Sequence, residues 1–223
     1  VYFATHFRNY YEAAPAMEIE RYVEDLALWG MNSLLCHFPP HQFSSLDAPE
    51  ARRAIEQMLT MMRAAKRIGL AVGLVEVPNC GFASAPRHLR YTQFPDDLGR
   101  RGNYGELLCP SHPEGREYLL RQWDAVLAEF SDVGLDLFVS WPYDEGGCGC
   151  EQCWPWGSKG FLSLSRDLRE LLRNRYPKSK FVLSTWMYDT PPAGEWDGLS
   201  RELAHDGDWV DYIMADAHEE FPA

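Results

Sequence analysis

Short apolar runs recur along the chain, and segments with apolar residues spaced three or four positions apart lie between them. Each run is bounded by polar, glycine or proline residues, which is typical of β-strands buried in a sheet. The six strands predicted in this way span residues 1–7, 33–38, 70–77, 135–141, 180–187 and 211–216. The alternation predicts a sheet whose strands are connected by helices.

The intervening segments have the spacing of amphipathic helices. Glycine or proline stands between each helical segment and the next strand, at Gly30, Gly69, Gly134 and Pro177, where a helix is expected to end. The fifth connection, 195–207, is less regular. The apolar positions that define the four regular helices are Ile19, Val23 and Leu26; Ile55, Leu59 and Met62; Leu119, Trp123, Val126 and Phe130; and Leu164, Leu168 and Leu171.

Strictly alternating strands and helices predict a parallel α/β sheet, which is either closed into a barrel or open and doubly wound. No glycine-rich phosphate-binding motif follows any predicted strand, and polar or aromatic residues recur at the strand ends, where barrel enzymes place their active sites. We therefore predict a TIM-type (β/α) barrel of about six β/α units, forming one domain over 1–223. Six strands do not complete such a barrel, so we expect the remaining units in a longer polypeptide.

Charge and hydropathy restrict the partners. The formal net charge is −12, and no run of five Lys or Arg occurs, which argues against nucleic acid or an anionic membrane surface as a partner. No segment of 18 consecutive apolar residues or secretory signal is present in the chain as given, so the sequence predicts no membrane span and leaves localisation open.

Asp144 and Glu145 are the strongest candidates for catalysis, because two adjacent acids follow a buried strand and precede Gly146 and Gly147. Paired carboxylates at this edge of a sheet suit general acid–base chemistry. Candidate substrate-binding residues follow the other strands. They are Arg8, His37, Trp186, Tyr188, Asp216 and His218.

The segment from Trp29 to Phe38 resembles the second barrel strand of the family 20 glycoside hydrolases, the β-N-acetylhexosaminidases. Asp144-Glu145 is similar to that family's acidic pair after its fourth strand. Arg8 and Trp186 are similar in position to its sugar-binding arginine and pocket aromatic. The resemblance covers about 1–189 and is to a divergent, bacterial-type member. Ser140-Trp141-Pro142-Tyr143 replaces the family's usual His-x-Gly-Gly.

This resemblance implies cleavage of an N-acetylated hexosamine with retention, in which the substrate's acetamido oxygen attacks the anomeric carbon. Glu145 would donate a proton to the leaving oxygen, and Asp144 would orient the acetamido group. Two neighbouring acids suit this mechanism, because they cannot reach opposite faces of one sugar ring. Their mutual repulsion, together with nearby tryptophans, is expected to raise the pKa of the acid.

Three cysteines, Cys148, Cys150 and Cys153, lie within six residues directly after the acidic pair. This density predicts a structural zinc site with Cys109, Cys80 or His112 as fourth ligand, and Cys109 is our choice. Disulfides in an exported protein, or free thiols, are the alternatives. No cofactor is expected to take part in catalysis.

Two other functions fit the same residues. The first is a carbohydrate-binding or structural barrel domain without turnover, within a larger protein. The second is a metal-dependent hydrolase that uses Asp144, Glu145, His37 and His218 as ligands. Loss of hydrolysis in Glu145→Gln, or sensitivity to chelators with the thiols intact, would separate the three.

Overall fold

The computed structural model describes residues 1–3, 9–94, 106–143, 146–188 and 194–215. Six strands form one parallel sheet in the order in which they occur along the chain. They are β1 (Tyr2–Phe3), β2 (Ser33–Cys36), β3 (Ala71–Glu76), β4 (Leu137–Ser140), β5 (Lys180–Ser184) and β6 (Tyr212–Met214).

In the described part of the chain five α-helices connect these strands, and three short 3₁₀ helices lie in the loops, at Tyr10–Glu12, Pro40–Gln42 and Arg87–Leu89. The backbone is left-handed at Gly30 and Gly69, each just after a helix, and at Gly134, which lies between α3 and β4. The helices are α1 (Ala16–Leu28), α2 (Pro49–Arg67), α3 (Pro113–Glu129), α4 (Gly160–Arg175) and α5 (Glu195–Asp206).

The strand order identifies the architecture. In a doubly wound sheet the order reverses at a switch point, whereas here each new strand adds to the same edge, as in a barrel. The predicted fold class is therefore confirmed. Within the described residues the sheet is open between β1 and β6, so the barrel is partial.

The two faces of the sheet differ in packing. Large side chains such as Phe3, Phe138 and Phe181 are at most 1% exposed and belong to the main core that includes the helices. On the other face Val75, Val139 and Val182 form a small separate cluster with the partly buried Trp141. This second cluster lines the inside of the partial barrel and leads to its C-terminal edge.

Several predictions need correction. The strands are shorter than the apolar runs that predicted them. Among the described residues, backbone pairing between neighbouring strands stops before the polar residues at the end of each run. The 195–207 connection contains a regular helix, α5. Trp29 follows the last residue of α1 and is 83% exposed, whereas Trp123 of α3 is fully buried.

None of the helices in the described part of the chain has both the length and the apolar character needed to cross a bilayer.

Candidate functional site

Three aromatic rings line the inner side of the partial barrel near its C-terminal edge. Trp141 follows β4 and Trp186 follows β5, and their ring centroids are 5.2 Å apart with an interplanar angle of 41°. Tyr2 of β1 reaches the same group, with its ring centroid 6.3 Å from that of Trp141. Flat aromatic surfaces of this kind pack well against the C–H-rich faces of sugars.

The acidic pair Asp144-Glu145 lies outside the described residues, but both its neighbours are described. Ser140 ends β4, and Tyr143, three residues later, is 1% exposed. Gly146 resumes on the other side of the pair, packed so closely that an added Cβ would lie 2.6 Å from Pro142 O. The described residues on both sides of the pair are therefore tightly packed. Arg8, Asp216 and His218 also lie outside the described residues, and their roles stay predictions.

His37 is 3% exposed and is held by β3. Its Nδ1 atom lies 2.9 Å from Val75 O and 3.0 Å from Glu76 Oε2. Both partners are acceptors, so Nδ1 carries the proton in the neutral ring. Glu76 is fully buried and also accepts a hydrogen bond from Phe38 N at 2.8 Å. His37 thus has a structural role in this edge of the sheet, and a contact with substrate stays a prediction.

Tyr188 is only 2% exposed, unlike the half-buried Trp186. Its hydroxyl donates to Gly157 O at 2.7 Å, and its ring packs edge-on against Trp196 at 5.3 Å. Burial raises the pKa of its hydroxyl well above the usual value. Tyr188 is thus buried against Gly157 and Trp196. Trp186 lies beside Trp141, toward the inside of the barrel.

Four cysteine sulfurs come together where the loop after β4 meets the segment before α3. The Sγ atoms of Cys109, Cys148, Cys150 and Cys153 all lie within 4.8 Å of one another, and all four cysteines are free thiols. The Sγ of Cys109 is 3.7 Å from that of Cys150 and 4.0 Å from that of Cys153. A disulfide requires about 2.05 Å between sulfurs, so none of these pairs is bridged.

These distances fit a tetrahedral metal ion. With metal–sulfur bonds of about 2.3 Å, neighbouring sulfurs of a tetrahedral zinc site lie about 3.8 Å apart. Cys148 and Cys153 are fully buried, and the backbone N–H of Thr92 donates to the Cys148 sulfur at 3.4 Å. The four residues can therefore hold a metal. Of the three candidates for fourth ligand, Cys109 takes the position, and the Cys80 sulfur lies 3.4 Å from His41 Nδ1 instead.

The sulfurs also perturb one another's ionisation. Hydrogen bonds from Cys148 and Cys153 lower the pKa of Cys109 to about 2. The contact with Cys109 raises the pKa of Cys148 to about 12, and contacts with Cys109 and Cys148 raise the pKa of Cys153 as well. These three thiols are therefore close enough to affect one another's ionisation.

Cys109 reaches the cluster through local backbone pairing. Two antiparallel bridges, Cys80 with Leu107 and Arg90 with Leu108, fix the segment just before it. The other three ligands lie on a turn in which Cys153 N and Trp154 N both donate to Cys150 O, at 3.0 and 2.8 Å. Two separate loops therefore supply the four sulfurs.

Asn79 joins these two loops, and our sequence-based list of site residues omits it. The side chain is fully buried, and its Nδ2 donates to Leu108 O at 3.0 Å and to Gly147 O at 2.8 Å. Its Oδ1 accepts from Gly147 N at 3.1 Å. In the sequence, Asn79 is distinguished only as an amide among the polar residues that follow β3. Tyr2 and Trp141 were likewise absent from the list, although Trp141 ends an apolar run.

No family model and no curated protein matches the sequence. Solved structures do resemble it. Over 99% of this chain and 66% of the other, the fold is similar to that of a D-psicose 3-epimerase, with TM-score 0.53 and 10% identity. An α-amylase from Lactobacillus plantarum is similar over 85% of this chain and 46% of its own, with TM-score 0.50 and 14% identity.

The chain has a TIM-barrel-type fold. It spans less than two thirds of the length of either of these structures. At such low identity the likeness concerns the fold alone, and membership of glycoside hydrolase family 20 is not confirmed.

Proposed function

We propose that this protein is a glycoside hydrolase with its active site at the C-terminal edge of the partial barrel. The observation that carries the proposal is the aromatic pair Trp141–Trp186, with centroids 5.2 Å apart, next to the segment that bears Asp144 and Glu145. An aromatic surface on which a sugar can stack, and carboxyl groups that can act on the glycosidic bond, are the features that such a site combines.

Glu145 is the proposed general acid, which protonates the oxygen of the leaving group. Asp144 orients the substrate's acetamido group and stabilises its developing positive charge, while the acetamido oxygen attacks the anomeric carbon with retention. The substrate is then an N-acetylated hexosamine. Arg8, His37, Trp186, Asp216 and His218 are the proposed sugar-binding residues, and Trp141 and Tyr2 extend the aromatic surface.

We also propose that Cys109, Cys148, Cys150 and Cys153 bind one structural zinc ion. The support is the sulfur spacing of 3.7–4.0 Å around Cys109 and the full burial of two of the four residues. All four positions are filled by protein sulfur, so the ion would stabilise the loop after β4 and take no part in bond cleavage. Metal analysis of wild type and Cys109→Ser tests this: about one zinc per chain is expected in wild type and much less in the variant.

Further β/α units of the same polypeptide are the proposed partners of the open edge of the sheet. Tyr212 and Ile213 of β6 project to opposite faces and are 57% and 44% exposed. A central barrel strand is covered on both faces. Hydrogen exchange at β6 should become slower in a longer polypeptide that supplies the next strand, and unchanged exchange would count against the proposal.

Hydrolysis of chromogenic aryl glycosides tests the catalytic proposal. Wild type should cleave the N-acetylhexosaminide faster than the matching glycoside without the acetamido group. Glu145→Gln should abolish turnover, and Asp144→Asn should lower it selectively for the N-acetylated substrate. Cleavage of both substrates at equal rates would refute the acetamido mechanism and leave the hydrolase assignment intact.

A carbohydrate-binding domain without turnover is the second candidate, since the same aromatic pair would serve binding alone. Saturable binding of the N-acetylated sugar without any cleavage would establish it. A metal-dependent hydrolase requires instead that activity depend on an ion other than the one held by the cysteines. Chelation that removes activity while the cysteine-bound ion is retained would support that mechanism.

A further inference from the structure

Glu195 is a buried acid to which the proposed chemistry gives no role. It is the first residue of α5 and is 1% exposed. Its Oε1 accepts hydrogen bonds from the hydroxyl of Tyr143 and from Gly157 N, the latter at 3.0 Å. A single carboxylate oxygen thus holds two groups of the β4–α4 loop.

The two groups come from distant parts of that loop. Tyr143 directly precedes Asp144, and Gly157 lies near the start of α4. Gly157 N also points at the Tyr143 hydroxyl, 3.1 Å away, and Tyr188 secures the same residue by donating to Gly157 O at 2.7 Å. The beginning and the end of the loop therefore meet at Glu195.

The junction formed by Tyr143, Gly157 and Glu195 is tightly packed. A Cβ added to Gly157 would lie 2.8 Å from the Tyr188 ring and 2.9 Å from Glu195 Oε2. Any larger residue at position 157 would push the carboxylate or the ring away. The junction is therefore built for one arrangement of Tyr143, Gly157 and Glu195.

Burial of an acid here is costly to the fold. Burial raises the pKa of Glu195, although hydrogen bonds from Tyr143, Ser158 and Gly157 oppose this. An apolar residue would avoid that cost but could not accept two hydrogen bonds. The carboxylate is thus suited to hold its partners in fixed positions.

We infer that Glu195 is a positioning residue for the β4–α4 loop, acting through Tyr143, the residue that precedes Asp144. It holds the Tyr143 side chain on one side of the acidic pair, as Asn79 holds the Gly147 backbone on the other side. An effect of Glu195 on turnover rests on the proposed hydrolase activity. Its effect on the structure of the loop does not.

Substitution of Glu195 by Gln and by Ala separates these consequences. The amide oxygen of Gln can still accept both hydrogen bonds, whereas Ala can accept neither. We expect Glu195→Ala to lower kcat about tenfold or more with KM within about twofold, because catalytic groups that are misplaced lose turnover before binding. Glu195→Gln should restore most of kcat. Glu202→Gln, a change on the same helix at a half-buried acid that pairs with Arg166 and not with the loop, is the matched control and should leave both constants unchanged.

Hydrogen exchange decides the structural part without any activity. Exchange at Gly146, Gly147 and Gly157 should be faster in Glu195→Ala than in Glu195→Gln. Tyr143→Phe, which removes one hydroxyl, should give the same change at Gly146 and Gly147 if Glu195→Ala fails to fold. Unchanged exchange in a folded variant would overturn the inference. A wild-type protein without turnover would refute the hydrolase proposal alone.

Discussion

Asn79 forms hydrogen bonds with both the N–H and the C=O of Gly147, at 3.1 and 2.8 Å. This pairing links the segment after β3 to the segment between the acidic pair and Cys148. Because Asn79 also holds Leu108, next to Cys109, it brings together the two loops that supply the sulfurs.

Replacement of Asn79 should therefore weaken both the fold and the metal site. We expect Asn79→Ala to lower the free energy of unfolding by about 1–3 kcal/mol, because buried backbone groups lose their partners. Zinc affinity, measured by competition with a chelator, should fall with it. Gln122→Ala is the matched control: Gln122 is a buried amide that holds Phe82 N and Cys80 O, so it should lower stability with little effect on zinc affinity. Equal zinc affinities in Asn79→Ala and wild type would contradict the prediction.

Gly147 should tolerate no side chain. Its φ of 133° disfavours L-residues, and an added Cβ would lie 2.1 Å from Phe94 Cζ. Gly134→Ala provides the comparison, because φ there is 69° but nothing lies within 4 Å of an added Cβ. We expect Gly147→Ala to lower the melting temperature clearly more than Gly134→Ala does. Similar shifts in the two variants would show that the contact with Phe94 gives way at little cost.

Removal of zinc should disorder the loop after β4 while the sheet remains folded. We expect a chelator, with a reductant present, to lower the melting temperature and reduce turnover, and added zinc to restore both. Cys150→Ser should mimic chelation, whereas Cys36→Ala, a buried cysteine of β2 outside the cluster, should keep its zinc. Retention of full stability after complete removal of the metal would exclude a structural role.

Trp141 and Trp186 should contribute to sugar binding. We expect Trp141→Ala and Trp186→Ala to weaken the binding free energy of the sugar by about 1–3 kcal/mol, as for other ring-stacking contacts, which would be measured as a higher KM or Kd. Trp29→Ala is the control, since Trp29 lies after α1, near the opposite edge of the sheet. Titration with the sugar should also change tryptophan fluorescence in wild type and in Trp29→Ala. If all three variants bind equally well, the aromatic surface has another purpose.

His41 should make stability depend on pH. Burial, and to a lesser extent nearby His37, lower the pKa of His41 from 6.5 to about 4. In the unfolded chain His41 binds a proton at a higher pH than in the folded protein, so stability rises with pH across this interval. We expect the free energy of unfolding to decrease as pH falls from about 6.5 to about 4. His41→Asn should flatten this part of the curve, and His88→Asn, a surface change, should not.

Local patterns in the sequence were sufficient for the fold. Strand and helix positions follow from apolar spacing over a few residues, and the barrel-type order follows from their alternation. The contacts that organise the site span 29 to 68 residues, as in Asn79 with Leu108 and with Gly147, and no local pattern encodes such a pairing. The structure does bring Cys109 together with the other three cysteines, which the sequence offered only as one of three candidates for the fourth ligand. Glu195 was missed because its segment lacked clear periodicity.

The exposed edge strand β6 also affects how the chain behaves in solution. No other strand of the described residues pairs with the outer edge of β6, so its backbone groups form a template for another strand. Neither charge nor proline within Tyr212–Met214 protects this edge. At high concentration we expect the isolated chain to self-associate through this edge. A charged substitution such as Ile213→Lys should therefore improve its solubility.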